Sequence, residues 1–228
     1  MKTEVRKDLK KHVDFAIKFK KDFKVRRSPN FSEMIMTNGK QRLLFNENST
    51  FTSGLFLFRM VQRDIKEYIE SNGAVTPIDE APVNCINKDY NKKNKTIGVD
   101  LNHAYWRVAY LKDYIREETY LKGLESDKYK PIRLSALSNL GRSKVYDVYE
   151  NGEYSHKEKT EYNQEYLDLY NDIRYTTFNI MKELSEQLGK DFHSWRTDCI
   201  YFKDTKKNMK YVTETLDSYD LLWKVEKV

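Results

Sequence analysis

Apolar positions recur along this chain in short blocks whose period changes from block to block. From residue 3 to 25, Val5, Leu9, Val13 and Ile17 return every fourth position, and Ala16, Phe19 and Phe23 widen the stripe. That spacing predicts an amphipathic helix with Lys and Arg on its other faces. Over 33–46, Met34-Ile35-Met36 and Leu43-Leu44-Phe45 flank Asn38-Gly39, a hairpin signature. A second helix is predicted over 54–71, entered from the Ser/Thr cluster at 49–53 and left at Asn72-Gly73. Residues 74–95 hold Pro77, Pro82 and many Asn and Lys, and read as a linker or surface loop.

Beyond that segment Thr96 to Leu101 reads as a short buried strand, followed by helices over 103–116 and 117–125. A helix over 131–142 carries Pro131 in its first turn, the place where proline is favoured. Val145 to Tyr149 alternates and Asn151-Gly152 turns the chain back, giving a second hairpin. The longest helix is predicted over 161–188, with Tyr162, Tyr166, Leu169, Ile173, Ile180, Leu184 and Leu188 on one side and Gly189 just past its end. Trp195 to Phe202 is predicted as one strand, 205–216 as a helix and Leu221 to Val228 as a closing strand. The expected fold class is α+β: a small antiparallel sheet backed by long helices, with a basic N-terminal helix. Residues 1–94 form an N-terminal part and 95–228 a second domain. No repeat or low-complexity tract interrupts them.

Composition adds a charge asymmetry. The net charge is +6, and residues 1–27 hold 11 Lys and Arg against 4 Asp and Glu. Such a basic segment neutralises phosphates and releases their counterions, which nominates Lys7, Lys10, Lys11, Lys20, Lys21, Arg26 and Arg27 as nucleic-acid-binding residues; a solvated helix face is the alternative reading. The two cysteines, Cys85 and Cys199, are far apart and fit neither a metal-ligand spacing nor a disulfide framework. This points to a reducing, cytoplasmic setting, in a bacterium or a phage-infected host. No apolar run approaches 18 residues and the N-terminus lacks a signal-peptide core, so no membrane partner is expected.

The chemistry concentrates on two acids. Asp100 ends the buried strand that runs into a helix, and Asp198 lies within the strand predicted over 195–202. Taken singly, each also reads as a strand-end or turn residue. An acid in an apolar strand is costly to bury unless paired or metal-bound, and two brought onto neighbouring strands make a hard-oxygen site suited to Mg²⁺. No Walker A loop, G-x-G-x-x-G, H-E-x-x-H or paired C-x-x-C is present.

Three segments together resemble the palm motifs of family B DNA polymerases. Asp100-Leu101-Asn102-His103-Ala104-Tyr105-Trp106 is similar to motif A, D-x-x-S-L-Y-P; His103, Ala104 and Trp106 depart from it. Arg133-Leu134-Ser135-Ala136-Leu137-Ser138-Asn139-Leu140-Gly141 is similar to motif B, K-x-x-x-N-S-x-Y-G. Ser138 and Gly141 match, Arg133 stands for the lysine, and Leu137 and Leu140 replace Asn and Tyr. Arg196-Thr197-Asp198-Cys199 is similar to motif C, D-T-D-S, with Arg196 in place of the first acid. The motifs occur in the family's order and span roughly 95–228.

The resemblance implies a phage or mobile-element nucleotidyltransferase adding dNTPs to primed DNA. Asp100, Leu101 and Asp198 would be the positions holding two Mg²⁺ ions, with Asp100 and Asp198 catalytic. Arg133 or Lys130 would bind the triphosphate, with Ser138 and Gly141 beside the nucleotide, and Tyr105 would floor the sugar pocket. Only 99 residues precede Asp100, and the chain stops where the family's palm strand ends. A separate exonuclease, long fingers and a thumb are therefore not expected, and primer extension calls for a replication partner protein. The departures in motifs B and C keep open a catalytically inactive palm relic that binds nucleic acid or a replication protein, and a structural protein without a nucleic-acid role.

Overall fold

The computed structural model describes residues 7–28, 31–36, 42–46, 55–78, 84–161 and 163–227. Among them the chain is mixed α+β, with seven α-helices and two antiparallel five-stranded sheets. Its contacts divide it into two compact units, 1–56 with 142–163 and 57–141 with 164–228. That partition follows contacts; the division at 94 expected from sequence follows composition, and the two cut the chain at different places. No helix among the described residues is long and apolar enough to cross a membrane.

In the first unit, helix α1 (Lys7–Lys18) is followed by strand β1 (Phe23–Ser28). The helix predicted to reach 25 therefore stops early. Lys20 adopts a left-handed φ of 48° and the Lys21 amide closes back on the Ala16 carbonyl at 2.9 Å, so the chain reverses. The apolar period continues through this reversal by coincidence. Phe23 is buried from a strand, whereas Ile17 and Phe19 stay exposed. Leu9, Val13 and Ala16 pack on Phe23, Val25 and Met34. β2 (Phe31–Met36) and β3 (Arg42–Asn46) pair as the expected hairpin, with Met34 opposite Leu43. The Asn38-Gly39 turn and the whole Ser/Thr cluster at 49–53 lie outside the described residues, as does Tyr162. β6 (Val145–Glu150) and β7 (Glu153–Lys159) form the second hairpin, and β6 adds to β1 to give the order β3-β2-β1-β6-β7.

The second unit takes α2 (Leu55–Asn72), the two-residue strand β4 (Cys85–Ile86) and β5 (Thr96–Leu101). The loop expected over 74–95 thus contains a short strand and a buried Tyr90 whose hydroxyl meets Thr96 Oγ1 at 2.9 Å. α3 (Ala104–Leu111), α4 (Glu117–Leu124) and α5 (Lys130–Ser138) follow, then the long α6 (Gln164–Leu188). α6 buries Leu169, Ile173, Met181 and Leu184 completely, the three-and-four spacing of one helix face. The strand predicted over 195–202 is instead a hairpin, β8 (Phe192–Arg196) and β9 (Cys199–Lys203), with Thr197 and Asp198 as its turn. α7 (Lys206–Ser218), capped by Thr205 Oγ1 accepting from the Asn208 amide at 3.1 Å, and β10 (Trp223–Lys227) complete the unit. The sheet order is β10-β5-β9-β8-β4.

Alternation along these strands separates two faces. Val99, Leu101, Ile200 and Phe202 are buried on one, where α6 covers β8 and β9. Gly98 and Asp100 fall on the other. Gly98 lies between Tyr201 and Glu226 in register, and a Cβ built on it would stand 2.9 Å from the Tyr201 ring. Tyr201 Oη donates across it to Glu226 Oε2 at 3.2 Å.

α4 begins without a cap of its own, because Arg116 offers no side-chain acceptor. The buried Asp64 of α2 supplies one: Oδ2 accepts from the Arg116 amide at 3.1 Å and from the Thr119 hydroxyl, while Arg63 holds Oδ1 at 2.8 Å. Asp64→Ala leaves buried donors without acceptors, a loss of about 2–4 kcal/mol. The expected readout is a fall in Tm of several degrees, with Asp64→Asn falling less; an unchanged Tm in Asp64→Ala excludes this cap as a support of α4.

Candidate functional site

β5 is the central positioning element. Its register sets Asp100 opposite Lys224 on one side and opposite Cys199 on the other. The Leu101 amide donates to the Asp198 carbonyl at 2.9 Å, and the Asn102 amide donates to the Leu222 carbonyl at 2.7 Å. These bonds stitch the end of β5 to the β8–β9 turn and to the approach to β10. Asp198 sits in that turn rather than inside a strand, so its side chain escapes the apolar helix face.

Both turns at this end of the sheet carry left-handed residues that are not glycine. Thr197 has φ 53° and His103, at the head of α3, has φ 58°. A β-branched residue in this region is disfavoured by roughly 1–3 kcal/mol and persists only where its surroundings over-determine it. At Thr197 the Asn84 side chain accepts from the backbone amide at 2.8 Å.

Asp100, Asp198, Tyr105, Lys130, Arg133 and Lys224 line a single cleft of about 310 Å³, together with Leu101 and His103. Burial pushes the Asp198 carboxyl above the usual carboxylate range; the Asp100 charge raises it further, while Lys224 and Lys130 oppose the shift. Both acids line this cleft, where their like charges oppose each other. Lys224 Nζ stands 3.0 Å from Asp100 Oδ2.

Tyr105 is half-buried, with its ring edge-on to Tyr170 and Phe178 at 6.3 and 6.5 Å. Burial, followed by Tyr170, pushes its phenol up to about 12, so it remains a neutral hydroxyl. Lys130 is exposed at the cleft. Arg133 lines the cleft but is only 3% exposed. Its guanidinium donates to the Gly123 carbonyl and, at 3.1 Å, to His103 Nδ1. Arginine has no acceptor, so Nδ1 must accept and the neutral ring carries its proton on Nε2. Burial and then the Arg133 charge hold the His103 pKa below its ordinary value, in keeping with that tautomer.

The other expected nucleotide residues lie apart from this group. Ser138 ends α5 and Gly141, with φ 68°, follows it; neither lines the cleft. The basic residues belong to the first unit. Lys10, Lys11, Lys20 and Lys21 are exposed, and Lys7 opens α1. Arg26 and Arg27 lie on β1, where Arg26 is engaged by Glu33 at 3.2 Å and Glu158 at 2.5 Å and lies over the Tyr146 ring. Cys85 is exposed and Cys199 buried, both as free thiols. Burial lifts the Cys199 thiol to about 12, which keeps it protonated and unsuited to bind metal.

Among the described residues no group of three or more His, Cys, Asp or Glu side chains is placed to hold a metal ion. The cleft offers two carboxylates and, at Leu101, only a carbonyl oxygen. These hard donors fit Mg²⁺ of the kind held by one or two carboxylates and completed by substrate phosphates and water, rather than a protein cage. The place of Lys224 beside Asp100 depends on the β10 register, which no local pattern in the sequence encodes. Comparison with known protein families, curated proteins and solved structures finds no match to this chain.

A carboxyl with a raised folded pKa binds its proton more readily when folded, so its ionisation weakens folding at higher pH. That penalty disappears as pH falls through the folded value. Without added divalent cation, Asp198→Asn is expected to raise Tm at neutral pH, with the gain shrinking as the medium is acidified. Equal Tm values at neutral pH contradict the burial and repulsion assigned to Asp198.

Proposed function

We propose that the chain is a minimal nucleotidyltransferase of the family B polymerase type, in which the second unit acts as a reduced palm adding dNTPs to primed DNA. The observation that carries this reading is the meeting of Asp100 and Asp198 at one end of β5. They share a cleft with an aromatic hydroxyl and an exposed lysine. The resemblance of the three motifs supports the same assignment.

In this reading Asp100, Asp198 and the Leu101 carbonyl hold Mg²⁺. Bound there, Mg²⁺ would supply charge stabilisation to phosphoryl transfer. The protein's own residues have separate tasks. Lys130 supplies a mobile cation for phosphate oxygens. Arg133, buried and engaged, orients His103 and ties α5 to the end of α4. Tyr105 presents a neutral ring edge against the sugar. A replication partner protein supplies the grip on duplex.

A second reading is favoured by a specific observation. Lys224 pairs with Asp100, and the exposed Arg196 occupies the place of the first motif C acid. A palm relic that binds nucleic acid through Lys10, Lys11, Lys20 and Lys21, without turnover, is consistent with this.

Incorporation of labelled dNTP on a primed template with Mg²⁺ separates the two. The first reading expects Mg²⁺-dependent incorporation that falls by about a hundredfold or more in Asp198→Asn and Asp100→Asn. Incorporation indifferent to both substitutions rejects the site. Salt-dependent DNA binding with no metal requirement and no incorporation assigns the chain to the second reading.

A further inference from the structure

Lys224 occupies an unusual position for a charged surface residue. It lies directly opposite Asp100 in the antiparallel register, and its ammonium sits 3.0 Å from one carboxylate oxygen. Among the described strands β10 pairs with β5 alone, so Lys224 stands on an edge strand, and its side chain is half-exposed. The ammonium is thus held at the carboxylate by one ion pair on a flexible stem. Glu226 lies two positions along the same strand and interacts electrostatically with it.

We infer that Lys224 is an internal competitor for the divalent cation at Asp100 and Asp198, and so sets the affinity of that pair for metal; this rests on the pair being a metal site, as argued above. A divalent ion at the same carboxylate oxygen either displaces the ammonium or is repelled by it, to an extent that solvent around the exposed lysine screens. Without Lys224 the two acids present their full negative charge, and affinity for hard cations rises with ligand charge. With Lys224 engaged, one of those charges is already neutralised. Metal therefore binds tightly only when a further ligand, such as a polyphosphate, contributes its own negative charge. On this account Lys224 couples metal loading to nucleotide loading.

The test is direct binding of Mn²⁺ alone to the full chain, read by electron paramagnetic resonance of free Mn²⁺. Wild type is compared with Lys224→Met, Lys224→Gln, Lys224→Arg and Asp198→Asn. Lys224→Met and Lys224→Gln are expected to bind about fivefold more tightly than wild type or better, the scale of one exposed ion pair removed. Lys224→Arg, which keeps the charge, should stay close to wild type. Binding seen only in the two neutral variants also supports the inference. Binding lost in Asp198→Asn but no tighter in either neutral variant overturns it and leaves the metal site standing. Wild type and both neutral variants binding no better than Asp198→Asn overturns the inference and the metal reading together.

Discussion

The arrangement depends on the register of β5 between β9 and β10. Each strand alternates with a period of two, so a slip of one residue would move Asp100 to the helix side and Val99 to the open side. The apolar set Val99, Leu101, Ile200 and Phe202 prevents that slip, because it is buried only in this alignment. The same alignment delivers Lys224 to Asp100 and brings the Leu101 amide to the Asp198 carbonyl. The chemistry of the cleft is thus held in place by the packing beneath it, one pleat away.

Around the acids the structure spends its positive charge unevenly. Arg133 is buried and engaged by a carbonyl and an imidazole. Lys130 is exposed, and Lys224 is bound to Asp100 across the strands. From Asp64 to α4, from Gly123 to Arg133 and from Arg133 to His103, hydrogen bonds form a continuous support from α2 to the head of α3. Thr197 and His103, both in the left-handed region, lie in the turns that border the cleft.

Much of this was legible from residues alone, and the failures have physical causes. β5 was readable because a short apolar run ends in an acid and meets a helical period. α6 was readable from its long stripe. The β8–β9 hairpin was read as one strand because Thr197-Asp198 lacks the Asn-Gly or Gly of a usual tight turn, and tertiary bonds impose the left-handed Thr197. α1 was overrun because Phe19 and Phe23 keep its period while Lys20 breaks its backbone. The roles of Asp64, Arg133 and Lys224 were hidden for another reason. Each depends on a partner far along the chain, and no local pattern encodes which strand or helix end will lie opposite.

On the open face, the Tyr201 ring lies over the missing side chain of Gly98 and its hydroxyl reaches the carboxylate of Glu226 on the far strand. Three strands are bracketed by one aromatic residue that needs bare backbone beneath it. Positions 98, 201 and 226 therefore have a shared history open to them. A side chain at 98 becomes tolerable once the ring at 201 has been traded for something small, and the acid at 226 then loses its hydroxyl donor. Variation among descendants of this chain should travel through those positions as a set.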